Sequence, residues 1–113
     1  MRILFIGDVV GQPGREAVEA VLWDLRKKHT LDMVVANGEN AAGGFGITRE
    51  TAKELLRAGV DVITTGGHVW DQREIIASIG DEELSIIRPL NYPAGVPGLG
   101  YRYFGDNVVV VNL

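Results

Sequence analysis

Asp32-Met33-Val34-Val35-Ala36-Asn37-Gly38-Glu39-Asn40 is the stretch on which the fold turns. An apolar run ends abruptly in a glycine, a carboxylate and an amide. The run reads as a strand over 32–37, and the glycine breaks it. The same pattern occurs on either side. Residues 2–7, apolar after Arg2, suit a strand covered on both faces, and Gly7-Asp8 closes it. Val60-Asp61-Val62-Ile63-Thr64-Thr65 reads as a third strand and ends at Gly66-Gly67-His68.

Helical patterns fill the gaps. The turn Gly11-Gln12-Pro13-Gly14 leads into a predicted helix from Arg15 to His29, with Ala17, Val18, Val21, Leu22 and Leu25 on one face. A glycine-rich loop, 41–46, precedes Thr48, the N-cap of a helix that carries Ala52, Leu55 and Leu56 and stops at Gly59. Asp71 and Glu74 have the spacing of a capping box for a short helix reaching about Ile79. Beyond it, Ile86 to Pro93 reads as a short strand running into a turn, Pro97-Gly98-Leu99-Gly100 as another turn, and Val108 to Val111 as a strand.

Strands alternating with helices predict an α/β fold, a layered and mostly parallel sheet with flanking helices. Right-handed crossovers then point the strand ends the same way, and those ends form the ligand crevice of such folds. Asp8, Glu39-Asn40 and His68 fall at three equivalent ends. Asp8, Glu39 and Asn40 are oxygen donors suited to Mg²⁺, Mn²⁺ or Fe. A carboxylate that bridges two cations sets them ~3.5–4 Å apart, where they activate a shared water and neutralise phosphoryl charge. His68, with an imidazole that titrates near neutrality, suits protonation of a leaving oxygen.

Each residue also has a plainer role. Asp8 alone suits a turn or cap, Glu39-Asn40 a left-handed turn, and Gly66-Gly67-His68 a flexible turn. Their occurrence together at equivalent strand ends favours a site. His29 complements a helix C-terminus and is read as structural. Trp23 and Trp70 are read as packing residues and Asp71 as a helix cap. Arg88 suits either a structural ion pair or a phosphate, and both stay open.

The rest of the sequence sets bounds. Its 113 residues make one domain, 46% apolar and 23% charged. The net charge of −4 gives no basis for nonspecific nucleic-acid binding. The absence of cysteine removes disulfides, thiolate zinc sites and cysteine nucleophiles. No apolar run approaches the ~20 residues that span a bilayer, and the acidic end of the opening run does not suit a signal peptide, so a cytoplasmic location is expected. Gly7, Gly11 and Gly14 lack the G-x-G-x-x-G spacing of a dinucleotide loop, and no Gly-Lys-Ser/Thr forms a phosphate loop.

Four segments together resemble the YmdB-like metallophosphoesterases: Met1 to Arg15, Asn37-Gly38-Glu39-Asn40-Ala41-Ala42, His68-Val69-Trp70-Asp71, and Arg88-Pro89-Leu90-Asn91-Tyr92-Pro93. Their order and spacing agree along the whole chain. The resemblance implies half of a calcineurin-like sandwich with a centre of two divalent metal ions, Fe or Mn before Mg. It implies phosphodiesterase activity that opens 2′,3′-cyclic nucleotides to 3′-nucleotides. In it Asp8 is a first-metal ligand, Glu39 lies between the metals, Asn40 is a ligand beside it, and His68 is the proton donor.

The chain departs from the family pattern twice. Gly67 stands where the family's Gly-Asn-His places an amide ligand of the second metal. Family members are also considerably longer, and their later half supplies histidine ligands that His29 and His68 do not replace. Residues 1–113 are therefore read as the N-terminal portion of one metallophosphoesterase domain. Two alternatives stand beside the enzyme: an inactive or one-metal relative that binds metal or nucleotide without turnover, and an α/β scaffold that needs a partner chain. A sheet cut in half also predicts self-association, a homo-oligomer, or marginal stability.

Overall fold

Four short parallel strands lie side by side in the order in which the chain makes them: β1 (Ile3–Ile6), β2 (Met33–Asn37), β3 (Val62–Thr64) and β4 (Ile86–Ile87). The computed structural model describes all residues, 1–113. Every crossover steps in the same direction. Right-handed crossovers of that kind place all their helices on one face of the sheet. Helix α1 (Gly11–His29), helix α2 (Arg49–Ala58) and two single-turn 3₁₀ segments (Arg73–Ala77 and Glu82–Leu84) accordingly share one face.

The two-residue period of the strands sorts their side chains. Val34, Ala36, Ile63 and Ile86 face the helices and meet Val18 and Leu22 of α1 and Ala52 and Leu55 of α2 in the main core. Met33, Val35, Val62 and Ile87 face the other way, against Phe104, Val108 and Val110. These last residues belong to a hairpin of β5 (Tyr101–Phe104) and β6 (Val108–Val111) that forms a third layer. Fully burying Leu22 or Leu55 contributes on the order of 1.5–3 kcal/mol each.

The α/β class, the parallel sheet and the flanking helices match the sequence reading. Four local expectations need correction. First, β1 is not covered on both faces: Ile3 and Phe5 are 52% and 61% exposed. The hairpin packs over β2, β3 and β4 and stops short of β1, which has no neighbour on its outer edge. On its helix side, a groove of about 340 Å³ lies between β1 and α1, lined only by apolar residues, Val21 and Leu25 among them. On its hairpin side, a trough of about 500 Å³ runs past Ile3 and Phe5 to Val109 and Val111.

Second, α1 begins at Gly11 rather than Arg15. Pro13 falls in the first turn, where a helical N–H has no partner to lose, so the apparent turn is helix. Third, the short helix expected after Asp71 and reaching about Ile79 is only the 3₁₀ segment Arg73–Ala77, whereas Val108 to Val111 is the strand expected, paired antiparallel with β5. Fourth, Trp23 is exposed instead of packed, with the Arg26 guanidinium 5.9 Å from its ring centre. Trp70 does pack against the core.

Local chemistry fixes the ends of α2. Thr48 caps it, accepting from the Thr51 N–H while the Thr51 hydroxyl accepts from the Thr48 N–H, and Gly59 closes it at φ 113°. The C-terminal ends of both helices are tied to the sheet through one carboxylate. Arg26 of α1 donates to Asp61 and, at 3.0 Å, to the Gly59 carbonyl, and Asp61 also accepts the Val34 N–H at 2.7 Å. No helix is long and apolar enough to cross a membrane.

Candidate functional site

Backbone hydrogen bonds stitch the C-terminal ends of the first three strands together. Val9 N–H donates to the Asn37 carbonyl at 3.0 Å, Gly11 N–H to that of Asn40 at 2.9 Å, and Gly38 N–H to that of Thr64 at 2.9 Å. Asp8 and Asn40 are thereby brought face to face. The Asn40 amide nitrogen donates to both Asp8 carboxylate oxygens at 3.0 Å.

Glu39 is held from two sides. It accepts from the Asn37 amide at 3.1 Å through Oε1 and from the His68 backbone N–H at 3.2 Å through Oε2. Its carboxylate lies directly over Gly66, where a Cβ would come within 2.5 Å of Oε1. The backbone around Gly66 is itself pinned. Tyr92 donates its hydroxyl to the Gly66 carbonyl at 3.1 Å, and Asn112 donates its amide to the Thr65 carbonyl at 2.6 Å.

The His68 ring turns outward, with Nδ1 2.7 Å from the Asp71 carboxylate. That hydrogen bond, then the charge of Asp71, raises the His68 pKa above the usual imidazole value, and Glu39 and Asp8 add to the rise. Asp71 thus fixes Nδ1 as a donor and leaves Nε2 free. The sign follows from the raised value. Protonated His68 favours the folded state below the ordinary imidazole pKa, and that contribution fades as pH rises through the folded-state value. In Asp71→Asn the His68 titration, followed by NMR of its ring protons, is expected to move down in pH. An unmoved midpoint would mean that Asp71 does not govern the ring.

The structure therefore brings Asp8 to Asn40 and Glu39 to the backbone of His68. It gathers no group of three or more His, Asp or Glu side chains able to hold a metal by themselves. Two carboxylates and an amide oxygen make a hard, oxygen-only donor set. That set fits one divalent cation, with water completing the shell, and is short of donors for two. His29 lies away from this set: its carbonyl accepts from Arg2, just before β1, at 2.8 Å.

Asp71 is not a helix cap. The 3₁₀ segment after it starts behind Gln72 with no side-chain cap, and the carboxylate serves His68 instead. Arg88 forms no ion pair. It is 9% exposed, and its guanidinium donates to the carbonyls of Pro89, Val96 and Pro97, bracing the loop after β4. Sequence reading passed over Asn37, Tyr92 and Asn112. Asn37 lies two residues before Glu39, a spacing typical of local Asn turns, whereas Asn112 reaches its partners only through the fold.

The sequence matches the family described as YmdB-like protein over residues 4–113. It is 45% identical, across its whole length, to the 2′,3′-cyclic-nucleotide 2′-phosphodiesterase of Bacillus subtilis, of which it covers 44%. A hypothetical protein from Thermus thermophilus superposes with a TM-score of 0.85 at 46% identity, covering 95% of this chain and 41% of that one. A novel phosphatase from Mycoplasma pneumoniae superposes with a TM-score of 0.84 at 33% identity, covering 93% of this chain and 38% of that one. The chain thus spans less than half the length of each of these relatives.

Proposed function

Because the chain belongs to the YmdB-like protein family, we propose that it carries the N-terminal portion of a metallophosphoesterase site that hydrolyses phosphodiesters, with 2′,3′-cyclic nucleotides opened to 3′-nucleotides. The observation that carries this reading is the placement of Asp8, Asn40, Glu39 and His68 at three adjoining strand ends stitched by backbone hydrogen bonds. The identity to a cyclic-nucleotide phosphodiesterase over the whole chain supports the substrate class.

Asp8, Glu39 and Asn40 would hold a divalent cation, Fe or Mn before Mg. Such a cation supplies Lewis-acid polarisation of phosphoryl oxygens and a lowered pKa for bound water. The family's second cation finds too few donors in this chain, and no step is assigned to it. His68 is the general acid. Asp71 keeps its Nδ1 protonated and orients the ring, so Nε2 can carry the proton that leaves. As water oxygen adds at phosphorus, the P–O2′ bond breaks and the 2′ oxygen takes the Nε2 proton of His68; the proton released by the attacking water passes to solvent, from which His68 is reprotonated, and the product is the 3′-nucleotide. Gly66 lets Glu39 sit close to the third strand end, and the His68 N–H holds it there.

The test is Mn²⁺-dependent hydrolysis of 2′,3′-cyclic AMP by the 113-residue chain. Asp8→Asn is expected to lower turnover by at least ~100-fold, since losing a ligand should exceed the 10–100-fold effect of losing a residue that supports one. Turnover that survives in Asp8→Asn would refute the site.

A second reading rests on a different observation. The open edge of β1, with an uncovered apolar groove on each of its faces, suits an α/β scaffold completed by further polypeptide. A second copy of the chain would serve as well. An inactive chain that self-associates in sedimentation would favour this reading over a self-sufficient enzyme.

A further inference from the structure

We infer that the residues of this chain hold one divalent cation and not two. The inference rests on the phosphoesterase reading in taking Asp8, Glu39 and Asn40 as the ligands, but it concerns stoichiometry and needs no substrate.

Three observations carry it. The first is charge. Asp8 and Glu39 together offset one dication. A second, ~3.5–4 Å from the first, would meet about four times the repulsion of two unit charges, with no further carboxylate to offset it. No third acidic or histidine side chain joins the group.

The second is that the other polar side chains around the third strand end already have partners. Asn37 uses both ends of its amide on Glu39. His68 presents Nδ1 to Asp71, and its Nε2 is the proton donor of the proposed reaction. Thr65, Tyr92 and Asn112 all donate to backbone carbonyls, those of Ile87, Gly66 and Thr65. Turning the Asn37 amide to a cation would release Glu39, and the Thr65, Tyr92 and Asn112 side chains are committed to those carbonyls.

The third is the empty position itself. Gly67 stands between Gly66, which touches Glu39, and His68, whose N–H binds Glu39. A Cβ at Gly67 would meet nothing within 4 Å, and its φ lies outside the left-handed region. A side chain fits there, on the same loop as the groups that surround Glu39, and the sequence supplies none. The third strand end contributes a proton donor and no ligand.

The experiment is a titration of the metal-free 113-residue chain with Mn²⁺, followed by calorimetry and electron paramagnetic resonance. One ion per chain is expected, with the six-line spectrum of an isolated Mn²⁺, and Asp8→Asn should weaken it at least ~10-fold. Gly67→Asp should raise the stoichiometry to two and replace the six-line spectrum with that of a coupled pair. Two ions in the unaltered chain, or none, would overturn the inference. A chain that binds one ion but hydrolyses no cyclic nucleotide would count against the proposed reaction while leaving the stoichiometry intact.

Discussion

Gly66→Ala is expected to weaken Mn²⁺ binding by roughly 10–100-fold, the range seen when support for a metal ligand is lost, whereas Gly67→Ala leaves it unchanged. The two glycines are neighbours, yet their surroundings differ. A methyl group on Gly66 would sit 2.5 Å and 2.7 Å from the two oxygens of Glu39. Glu39 cannot simply swing aside, because it is tethered by the Asn37 amide and the His68 N–H. The carboxylate must give up one of those bonds, and the ligand moves with it. Backbone strain plays no part, since Gly66 does not adopt a positive φ. Calorimetric titration of both variants, with circular dichroism to show that each stays folded, tests the contrast. Equal affinities in the two would mean that Glu39 is not a ligand.

Asp61→Ala is expected to cost about 3 kcal/mol of stability, the low end of what removing one partner of a buried pair costs. Asp61 and Arg26 are 24% and 16% exposed, so the pair is only partly screened by water. Removing the carboxylate leaves the Arg26 guanidinium with only the Gly59 carbonyl and frees the Val34 N–H at the start of β2. Three elements loosen together: the end of α1, the cap of α2 and the second strand. Asp61→Asn keeps a carbonyl oxygen for Val34 and should lose less. Urea unfolding of the two variants measures the difference, and a loss below about 1 kcal/mol in Asp61→Ala, the range of an exposed pair, would show that the junction is not load-sharing.

Asp61 also shows where sequence reading stops. Within the run Val60 to Thr65 it appears as one polar residue in an apolar strand, and nothing nearby names Arg26 or Val34 as its partners. What the sequence does reveal is local. Helix α2 was bounded correctly because Thr48 and Gly59 act on their own neighbours. The three strand ends were found because a strand stops where apolar residues give way to glycine and polar groups, and that placed Asp8, Glu39, Asn40 and His68 at one end of the sheet.

What was misread depends on distant parts of the chain or on ambiguous spacing. Residues 2–7 look suited to a strand covered on both faces, but coverage is decided by where the hairpin packs, about a hundred residues later. Asp71 lies three residues after His68 and three before Glu74, so one spacing serves both a ring partner and a helix cap. The cap needs a helix that forms there only as a 3₁₀ turn. Arg88 offered two charged roles, and the fold uses it for a third, bracing carbonyls of a loop that the sequence does not place beside it.

The bare flank of β1 has a thermodynamic consequence. Ile3 and Phe5, with Tyr103, Val109 and Val111 of the hairpin, are already in contact with water in the folded chain. Unfolding therefore hydrates less new apolar surface than in a closed domain of equal length. The heat-capacity increment should fall below the ~1.5 kcal/mol/K typical of this size, and the curve of stability against temperature should be correspondingly broad. Stability itself will then change little between a cold room and body temperature. A polypeptide that covered β1 would steepen that curve as it bound.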